Sequence, residues 1–306
     1  MFKSIKVNPS NTDTRIDKWL KREFSNLNQS FIEKNLRKGL IKINNSKVKS
    51  NYIVSENDII NIFNFSIEKY PCKIKKKDTK KIPVTIINRF KKIIVYENKD
   101  FMIIDKWNGL ASQAGSKVNI SIDDIIKNIS IDYNLVHRLD KDTSGLMIIA
   151  KNFMTTKIIS KLFYEKKIKK IYLAICQGNP INVNSLIKLK IPIKKNKNVF
   201  GETVTRFKIL KKNKNFSFIA FKPLTGKKHQ LRILSKKIGC PIVGDNKYNL
   251  DKTFYKESLK LNAHILKFTI NSKEYIFKSE IPINFNNFLI KEKLNYNKIK
   301  NLLKLF

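Results

Sequence analysis

The sequence has little cysteine and little glycine, and each shortage excludes a class of protein. Its three cysteines, Cys72, Cys176 and Cys240, lie far apart and form no CxxC pair. We therefore expect neither a disulfide framework nor structural zinc, as is usual in a reducing cytoplasm. The nine glycines occur singly along the chain, which excludes a glycine-rich phosphate-binding loop.

Long apolar runs are also missing. No stretch of 18 apolar residues occurs in the 306-residue chain, so a transmembrane helix is excluded and we expect no membrane partner. The segment MFKSIKVNPSNTD contains no apolar signal region, and patterned sequence begins by about Asp13, so we expect no targeting peptide. With 42% hydrophobic residues, the chain is expected to fold into two domains rather than remain disordered.

Acidic residues are scarce, because 24 Asp and Glu stand against 63 Lys and Arg, a net charge of +39. Such an excess predicts binding to a polyanion, nucleic acid above all, with a steep dependence on salt. Lysine supplies 56 of these cations, and its abundance beside Ile and Asn is typical of an AT-rich genome. Part of the charge therefore reflects codon usage rather than function.

Arginine and histidine are the rare cations. In a chain that uses lysine almost everywhere, a retained arginine can mark a position that needs a planar, permanently charged group, although chance retention explains some of them. Two of the three histidines stand near an arginine, as in His137-Arg138 and in the segment from His229 to Arg232. The seven arginines are Arg15, Arg22, Arg37, Arg89, Arg138, Arg206 and Arg232.

Residues 13–63 form the first predicted domain. Apolar residues at helical spacing predict two short helices, with Gly39 at the end of the second, and LIKINN then predicts small strands. Basic helix faces that carry Arg15, Arg37 and Lys38 suit docking on RNA phosphates. The pattern resembles the S4-like RNA-binding domain; a basic helical hairpin without a specific role is the alternative.

The rest of the chain divides into three parts. Residues 64–92 contain Pro71, Pro83 and a dense lysine run, which predicts a basic linker. Residues 93–284 contain paired apolar strands and a few helices, which indicates an α+β domain with mostly antiparallel strands. Residues 285–306 have helical spacing but are rich in Lys and Asn, which predicts a basic helical tail.

Two segments concentrate polar groups. The loop HRLDKDTSG, residues 137–145, lies between apolar strands and contains two carboxylates, two cations, an imidazole and two hydroxyls. A polar loop held by buried strands is a common position for reactive groups, although the same residues also form good turns. In LTGKKHQLRI, His229 and Arg232 are i, i+3 neighbours on a predicted helix. Tyr172 interrupts an aliphatic strand, where a buried, hydrogen-bonded tyrosine is the ordinary interpretation.

Together these segments resemble a known family. HRLDKDTSGLMIIAK, KKIYLAICQG and LTGKKHQLRI…GCPIVGD resemble the RluA-type RNA pseudouridine synthases, over about residues 13 to 284. The resemblance implies a fold with an S4-like domain followed by a mixed, mostly antiparallel sheet with flanking helices. It also implies an isomerisation that breaks the N1–C1′ bond of uridine and rejoins the base through C5. Such a reaction requires no cofactor and no metal.

The resemblance also implies roles for single residues. Asp140 corresponds to the family nucleophile, Arg232 to its ion-pair partner and Tyr172 to the tyrosine that lies against the base. Arg138 corresponds to the arginine that fills the space of the flipped uridine. His137 and His229 are assigned to RNA binding, His137 as a group that fixes the loop more than one that transfers protons.

The implied substrate is large-subunit ribosomal RNA, bound by a monomer before or during ribosome assembly. Two alternatives remain open from the residues: a synthase that acts on tRNA, and a non-catalytic RNA-binding assembly factor. Intact Asp140, Tyr172 and Arg232 argue against the second. The chain departs from the family where Trp107 replaces the proline of a Lys-Pro-x-Gly segment.

Overall fold

The computed structural model describes residues 1–8, 12–24, 27–71, 81–115, 118–181, 185–192, 199–295 and 302–306. The chain forms two compact units, Met1–Thr79 and Lys80–Phe306, and each is described by itself. Among the helices in these ranges, none combines the length and the apolar character needed to cross a membrane.

The first unit packs two helices on small sheets. The apolar stripes of the helices bury Trp19, Leu20, Ile32 and Leu36. Gly39 ends the second helix in the left-handed conformation, with φ 71°, as its position in the sequence predicts. The strands form a three-stranded sheet of order β1-β5-β3 and a separate pair β2-β4. The elements are β1 (Lys3–Lys6), β2 (Thr14–Arg15), α1 (Ile16–Glu23), α2 (Gln29–Lys38), β3 (Ile41–Ile43), β4 (Ile53–Val54) and β5 (Ile59–Ile62).

The span 64–92, which the sequence suggests is a basic linker, contains ordered parts of both units. Phe65 and Tyr70 are buried in the first unit, where both rings contact Phe24. Helix α3 (Val84–Lys91) belongs to the second unit and buries Phe90 completely. The lysine run between them, 72–80, lies outside the described residues. Aromatic residues set among lysines are sufficient to anchor the ends of this span to apolar cores.

The second unit is built on a ten-stranded sheet of order β11-β12-β13-β10-β14-β9-β7-β6, with β15 on β14 and β8 on β9. The described pairs are antiparallel except for β14 with β9, which confirms the mixed, mostly antiparallel architecture. No strand is predicted from the sequence at β11, which lies at the sheet edge. The strands are β6 (Ile94–Glu97), β7 (Phe101–Lys106), β8 (Asn134–Leu135), β9 (Ser144–Ala150), β10 (Lys169–Gln177), β11 (Leu186–Pro192), β12 (Phe200–Lys212), β13 (Phe216–Pro223), β14 (Leu261–Ile270) and β15 (Lys273–Lys278).

Four more helices flank this sheet. Their bounds are α4 (Ile122–Ile129), α5 (Phe153–Tyr164), α6 (Gln230–Lys237) and α7 (Ile283–Lys291). Helix α7 begins two residues before the predicted tail 285–306 and continues into it. Its Phe285, Phe288 and Leu289 are buried against β10 and β13. Leu294 and Leu302 are buried in the same cluster. Although this segment is rich in basic residues, it therefore also has an apolar face that packs into the core.

The cysteines of the described residues lie in the second unit. Cys176 and Cys240 are buried free thiols of the second unit, and Cys72 lies outside the described residues.

The parallel contact between β14 and β9 requires a glycine. Gly145, at the start of β9, has φ 108°, and a Cβ placed on it would overlap the backbone of Ala263. Only a residue without a side chain allows this close approach. The polar loop 137–143 leads into β9 one residue before Gly145, so this contact sets where the loop meets the sheet.

We expect Gly145→Ala to lower the free energy of unfolding by about 3–5 kcal/mol, because it adds backbone overlap to left-handed strain. The matched control is Gly109→Ala, since Gly109 has φ 89° but nothing within 4 Å of its Cβ position. That variant should lose only about 1–2 kcal/mol. Urea unfolding of both variants checks this; equal losses would mean that the β9–β14 contact yields easily.

Candidate active site

The loop 137–143 is fixed from within by Leu139. Its side chain is buried, its amide donates to Ser112 Oγ over 3.1 Å, and its carbonyl accepts from the same hydroxyl over 2.7 Å. The Thr143 amide donates to the carbonyl of Asp140 over 3.1 Å and closes a turn. The neighbours of Leu139, Arg138 and Asp140, both line a cavity of about 870 Å³.

A buried lysine that is not among the predicted site residues supports the loop. Lys106 is fully buried at the end of β7, and its ammonium donates to the carbonyls of Trp107, Leu110 and Lys141 over 2.9–3.1 Å. Burial lowers its pKa to about 7, against the opposing effect of nearby carboxylates. Its position in the sequence is the signal that could have identified it, because Lys106 ends the apolar segment FMIIDK, whose residues are mostly buried.

The structure brings the two polar segments together at Asp140. This carboxylate is partly exposed; Oδ1 lies 3.7 Å from His229 Nε2, and Oδ2 lies 3.9 Å from Arg232 Nη1. Both distances exceed those of hydrogen bonds, so the interaction in the free protein is electrostatic. The predicted ion pair between Asp140 and Arg232 is thus present, but it is a long one.

The hydrogen-bonded partner of Arg232 is Asp245, which is not among the predicted site residues. Arg232 Nε and Nη2 donate to the two oxygens of Asp245 over 2.8 and 2.6 Å. The amides of Lys247 and Tyr248 also donate to this carboxylate, each over 3.0 Å. Burial would raise the pKa of Asp245, but these hydrogen bonds and the Arg232 charge outweigh it and lower the pKa. The available signal was an aspartate in GCPIVGD, close after the helix.

Tyr172 lies in β10 and lines the same cavity. Burial, with a smaller effect from the negative charge of Asp140, raises its pKa, so the hydroxyl stays protonated at neutral pH. None of the hydrogen bonds among the described residues involves this hydroxyl. Tyr172 therefore offers the cavity both an aromatic ring and an uncommitted hydroxyl.

The other predicted residues of the loop differ in their surroundings. Arg138 is exposed, and its Nη1 donates to Gln113 Oε1 over 3.1 Å. His137 Nε2 accepts a hydrogen bond of 2.9 Å from the amide of Ile148, and its ring lies 4.6 Å from that of Phe163. Burial lowers the pKa of His137 to about 3. The neutral imidazole thus ties the loop to β9.

The three predicted RNA-binding residues of the first unit lie at helix ends. Arg15 precedes α1 and forms two hydrogen bonds to Asp17, of 3.1 and 2.8 Å. Arg37 and Lys38 are exposed in the last turn of α2. These positions leave Arg37 and Lys38 open to solvent.

Lysines surround the cavity that contains Asp140. Its volume falls in the range of small-molecule and cofactor sites, and its cationic walls are suited to hold the phosphates of a nucleic acid. Burial lowers the pKa of one of them, Lys170. The lining lysines are Lys166, Lys169, Lys170, Lys222, Lys227 and Lys228.

Comparison with known proteins identifies the family. The profile described as RNA pseudouridylate synthase matches residues 100–237, and the S4 domain profile matches residues 14–60. A protein of Rickettsia bellii named ribosomal large subunit pseudouridine synthase C is 36% identical over 293 residues, which cover 89% of this chain and 96% of that one. This chain belongs to the RNA pseudouridylate synthase family. The membership confirms both resemblances and the enzyme class.

Further relatives agree with this membership. A Buchnera aphidicola subsp. Baizongia pistaciae protein with the same name is 33% identical and covers 95% of this chain and 94% of its own. Among solved structures, human RNA pseudouridylate synthase domain containing 4 matches with a TM-score of 0.59 at 24% identity, over 68% of this chain and 96% of that one. That likeness confirms the pseudouridylate synthase fold. The roles of single residues stay predictions.

We expect His137 to make the stability of this pseudouridylate synthase pH-dependent. The unfolded chain binds a proton near the ordinary pKa of 6.5, whereas folded His137 does so only near 3. Stability is therefore lost as pH falls through this window. His137→Gln keeps an acceptor for the Ile148 amide but cannot titrate. Its free energy of unfolding relative to wild type should rise by up to about 1.4 kcal/mol per pH unit below pH 6.5. Parallel pH profiles would contradict this.

Proposed function

We propose that this pseudouridine synthase acts on large-subunit ribosomal RNA, with Asp140 as its nucleophile. The observation that carries the proposal is the position of Asp140 at the wall of the lysine-rich cavity, beside Arg232 and His229. The names of the relatives support the substrate, because both are ribosomal large subunit pseudouridine synthases that align along nearly their whole length.

The chemistry requires an ionised carboxylate next to the sugar. The reaction breaks the N1–C1′ bond and forms a C5–C1′ bond; C5 loses a proton and N1 gains one, so no atoms are gained or lost overall. A carboxylate can attack an electron-poor centre or stabilise a developing cation only in its charged form. The Arg232 guanidinium, whose charge is permanent, lies 3.9 Å from this carboxylate.

Tyr172 and Arg138 would hold the base outside its stack. A flipped uridine costs a few kcal/mol of stacking, and the Tyr172 ring offers a face that restores part of it. The protonated Tyr172 hydroxyl can donate a proton or a hydrogen bond to the rotating base. Arg138 is exposed at the cavity, where its planar group can occupy the space that the uridine leaves.

The proposal divides the chain by role. Residues 13–63 would bind RNA through Arg15, Arg37 and Lys38, and residues 93–284 would carry the reaction, with 285–306 completing their core. His137 would fix the loop beside the bound RNA. We further propose that the protein acts as a monomer in the cytoplasm, on ribosomal RNA before or during assembly.

Asp140→Asn should abolish product, because the amide cannot act as a nucleophile, whereas RNA affinity should change by no more than about twofold. Tritium release from [5-³H]uridine-labelled large-subunit RNA should fall by on the order of a thousandfold. Full activity of this variant would refute the assignment. Pseudouridine mapping in cells without the gene tests the substrate: loss of large-subunit signals is expected, and loss confined to tRNA would contradict it.

Substitution of Arg138 should change kcat, whereas substitution of a cavity lysine should change the affinity for RNA. Arg138→Lys should lower kcat, since an ammonium cannot replace a stacked guanidinium. Lys166→Gln should instead weaken binding about equally for all RNAs and reduce the slope of log affinity against log salt by about 1. Filter binding and single-turnover kinetics at several salt concentrations separate the two. A kcat loss in Lys166→Gln with unchanged affinity would contradict this division.

A further inference from the structure

His229 occupies an unusual backbone position at the start of α6. Its φ is 56°, in the left-handed region, which residues other than glycine adopt rarely and at a cost of about 1–3 kcal/mol. One ring nitrogen is hydrogen-bonded, and the other faces Asp140. Nε2 lies 3.7 Å from Asp140 Oδ1, and Nδ1 lies 2.8 Å from the Tyr248 hydroxyl.

Tyr248 is itself held by the carboxylate that binds Arg232. Its amide donates to Asp245 Oδ1 over 3.0 Å, its ring lies 5.3 Å from the Arg232 guanidinium carbon, and its ring plane is 75° from that of His229. Asp245 therefore fixes both neighbours of the nucleophile, Arg232 directly and His229 through Tyr248. Tyr248 is not among the residues that the sequence suggests for the site.

The protonation states follow from the surroundings. Burial lowers the pKa of His229; the charge of Asp140 opposes this, while Arg232, Lys247 and Lys228 add to it. The imidazole is therefore neutral near pH 7 and has one N–H. Burial also raises the pKa of Tyr248, so its hydroxyl keeps its proton.

A protonated tyrosine hydroxyl beside a neutral imidazole can donate to the bare nitrogen. If Tyr248 donates to Nδ1, the imidazole proton must sit on Nε2, which faces Asp140. The 3.7 Å separation then needs to shorten by well under 1 Å to become a hydrogen bond, as catalytic contacts often do when substrate binds.

We propose that Tyr248 fixes His229 as the Nε2–H tautomer, and that His229 thereby acts as a positioning residue that orients the Asp140 carboxylate. This inference rests on the proposed role of Asp140 as nucleophile. It replaces the RNA-binding role that the sequence suggests for His229. A neutral N–H can orient the carboxylate without adding a second full positive charge to that of Arg232, which would weaken it as a nucleophile.

The tautomer of His229 can be determined by NMR, without a measurement of activity. The chain has only three histidines, so long-range ¹H–¹⁵N spectra are simple, and single substitutions assign them. His137 is an internal reference, because Nε2 accepts from Ile148 and the proton must sit on Nδ1. We expect the opposite pattern, Nε2–H, for His229. In Tyr248→Phe the Nδ1–H form should appear, whereas Tyr255→Phe, at an exposed tyrosine, should change nothing. An Nδ1–H form of His229 in the wild type would overturn the proposal.

Kinetics test the effect on Asp140. Asn tolerates the left-handed conformation, but its short side chain cannot replace Nε2, so His229→Asn should lower kcat by on the order of 10- to 100-fold with KM for the RNA within about twofold. His229→Gln, whose amide reaches further, should recover part of kcat. Tyr248→Phe should lower kcat and change its pH profile. A raised KM with unchanged kcat in His229→Asn would overturn the proposal in favour of an RNA contact.

The two proposals fail in different ways. If wild-type protein forms no pseudouridine in large-subunit RNA, the proposed substrate or nucleophile is wrong, whatever the spectra show. If it forms pseudouridine but His229 is Nδ1–H, or His229→Asn keeps full kcat, only the positioning role is wrong. Should His229→Asn fail to fold, the spectra and the kcat of Tyr248→Phe still decide.

Discussion

The site depends on one buried ion pair, that between Arg232 and Asp245. Removing two charges from water is costly, and such a pair is stable only when further hydrogen bonds satisfy the remaining oxygens. Here Asp245 accepts four, two from the guanidinium and two from the amides of Lys247 and Tyr248. The pair therefore joins helix α6 to the following turn and leaves Nη1 of Arg232 directed toward Asp140. This explains how an arginine can lie beside the Asp140 carboxylate without forming a hydrogen bond to it.

Asp140 is held from the opposite side by the sheet. The loop before β9 is bounded by Gly145, whose backbone meets that of Ala263, and it is supported by Lys106, which binds carbonyls of two loops. The partners of Asp140 are Arg232 in α6 and His229 just before it, about 90 residues further along the chain. Close packing around both segments holds them next to each other, since rigid elements position reactive groups more accurately than free loops.

The sequence was informative where the determinants are local. The two short helices of the first unit, the polar loop after β8 and helix α6 each follow from spacing over fewer than 20 residues, and the structure has them at those places, with Gly39 at the end of the second helix. It was uninformative where a residue acts through a distant contact. Asp245, Tyr248 and Lys106 have ordinary neighbours in sequence, and only the folded chain shows what they bind. The lysine-rich composition of 64–92 and 285–306 predicted a linker and a tail. Both segments instead contain buried aromatic residues that anchor them in the cores, namely Phe65, Phe90 and Phe288.

This arrangement gives a physical reason why the lysine-rich chain keeps an arginine at position 232. Lysines at the cavity act as point charges that salt can screen and that neighbours can replace. Arg232 cannot be replaced in this way, because it donates two parallel hydrogen bonds to Asp245 while a third nitrogen faces Asp140. A lysine ammonium lacks the fixed fork needed to do both. Codon usage can therefore convert most surface arginines to lysine without loss, but at this position the geometry of the buried carboxylate opposes the change.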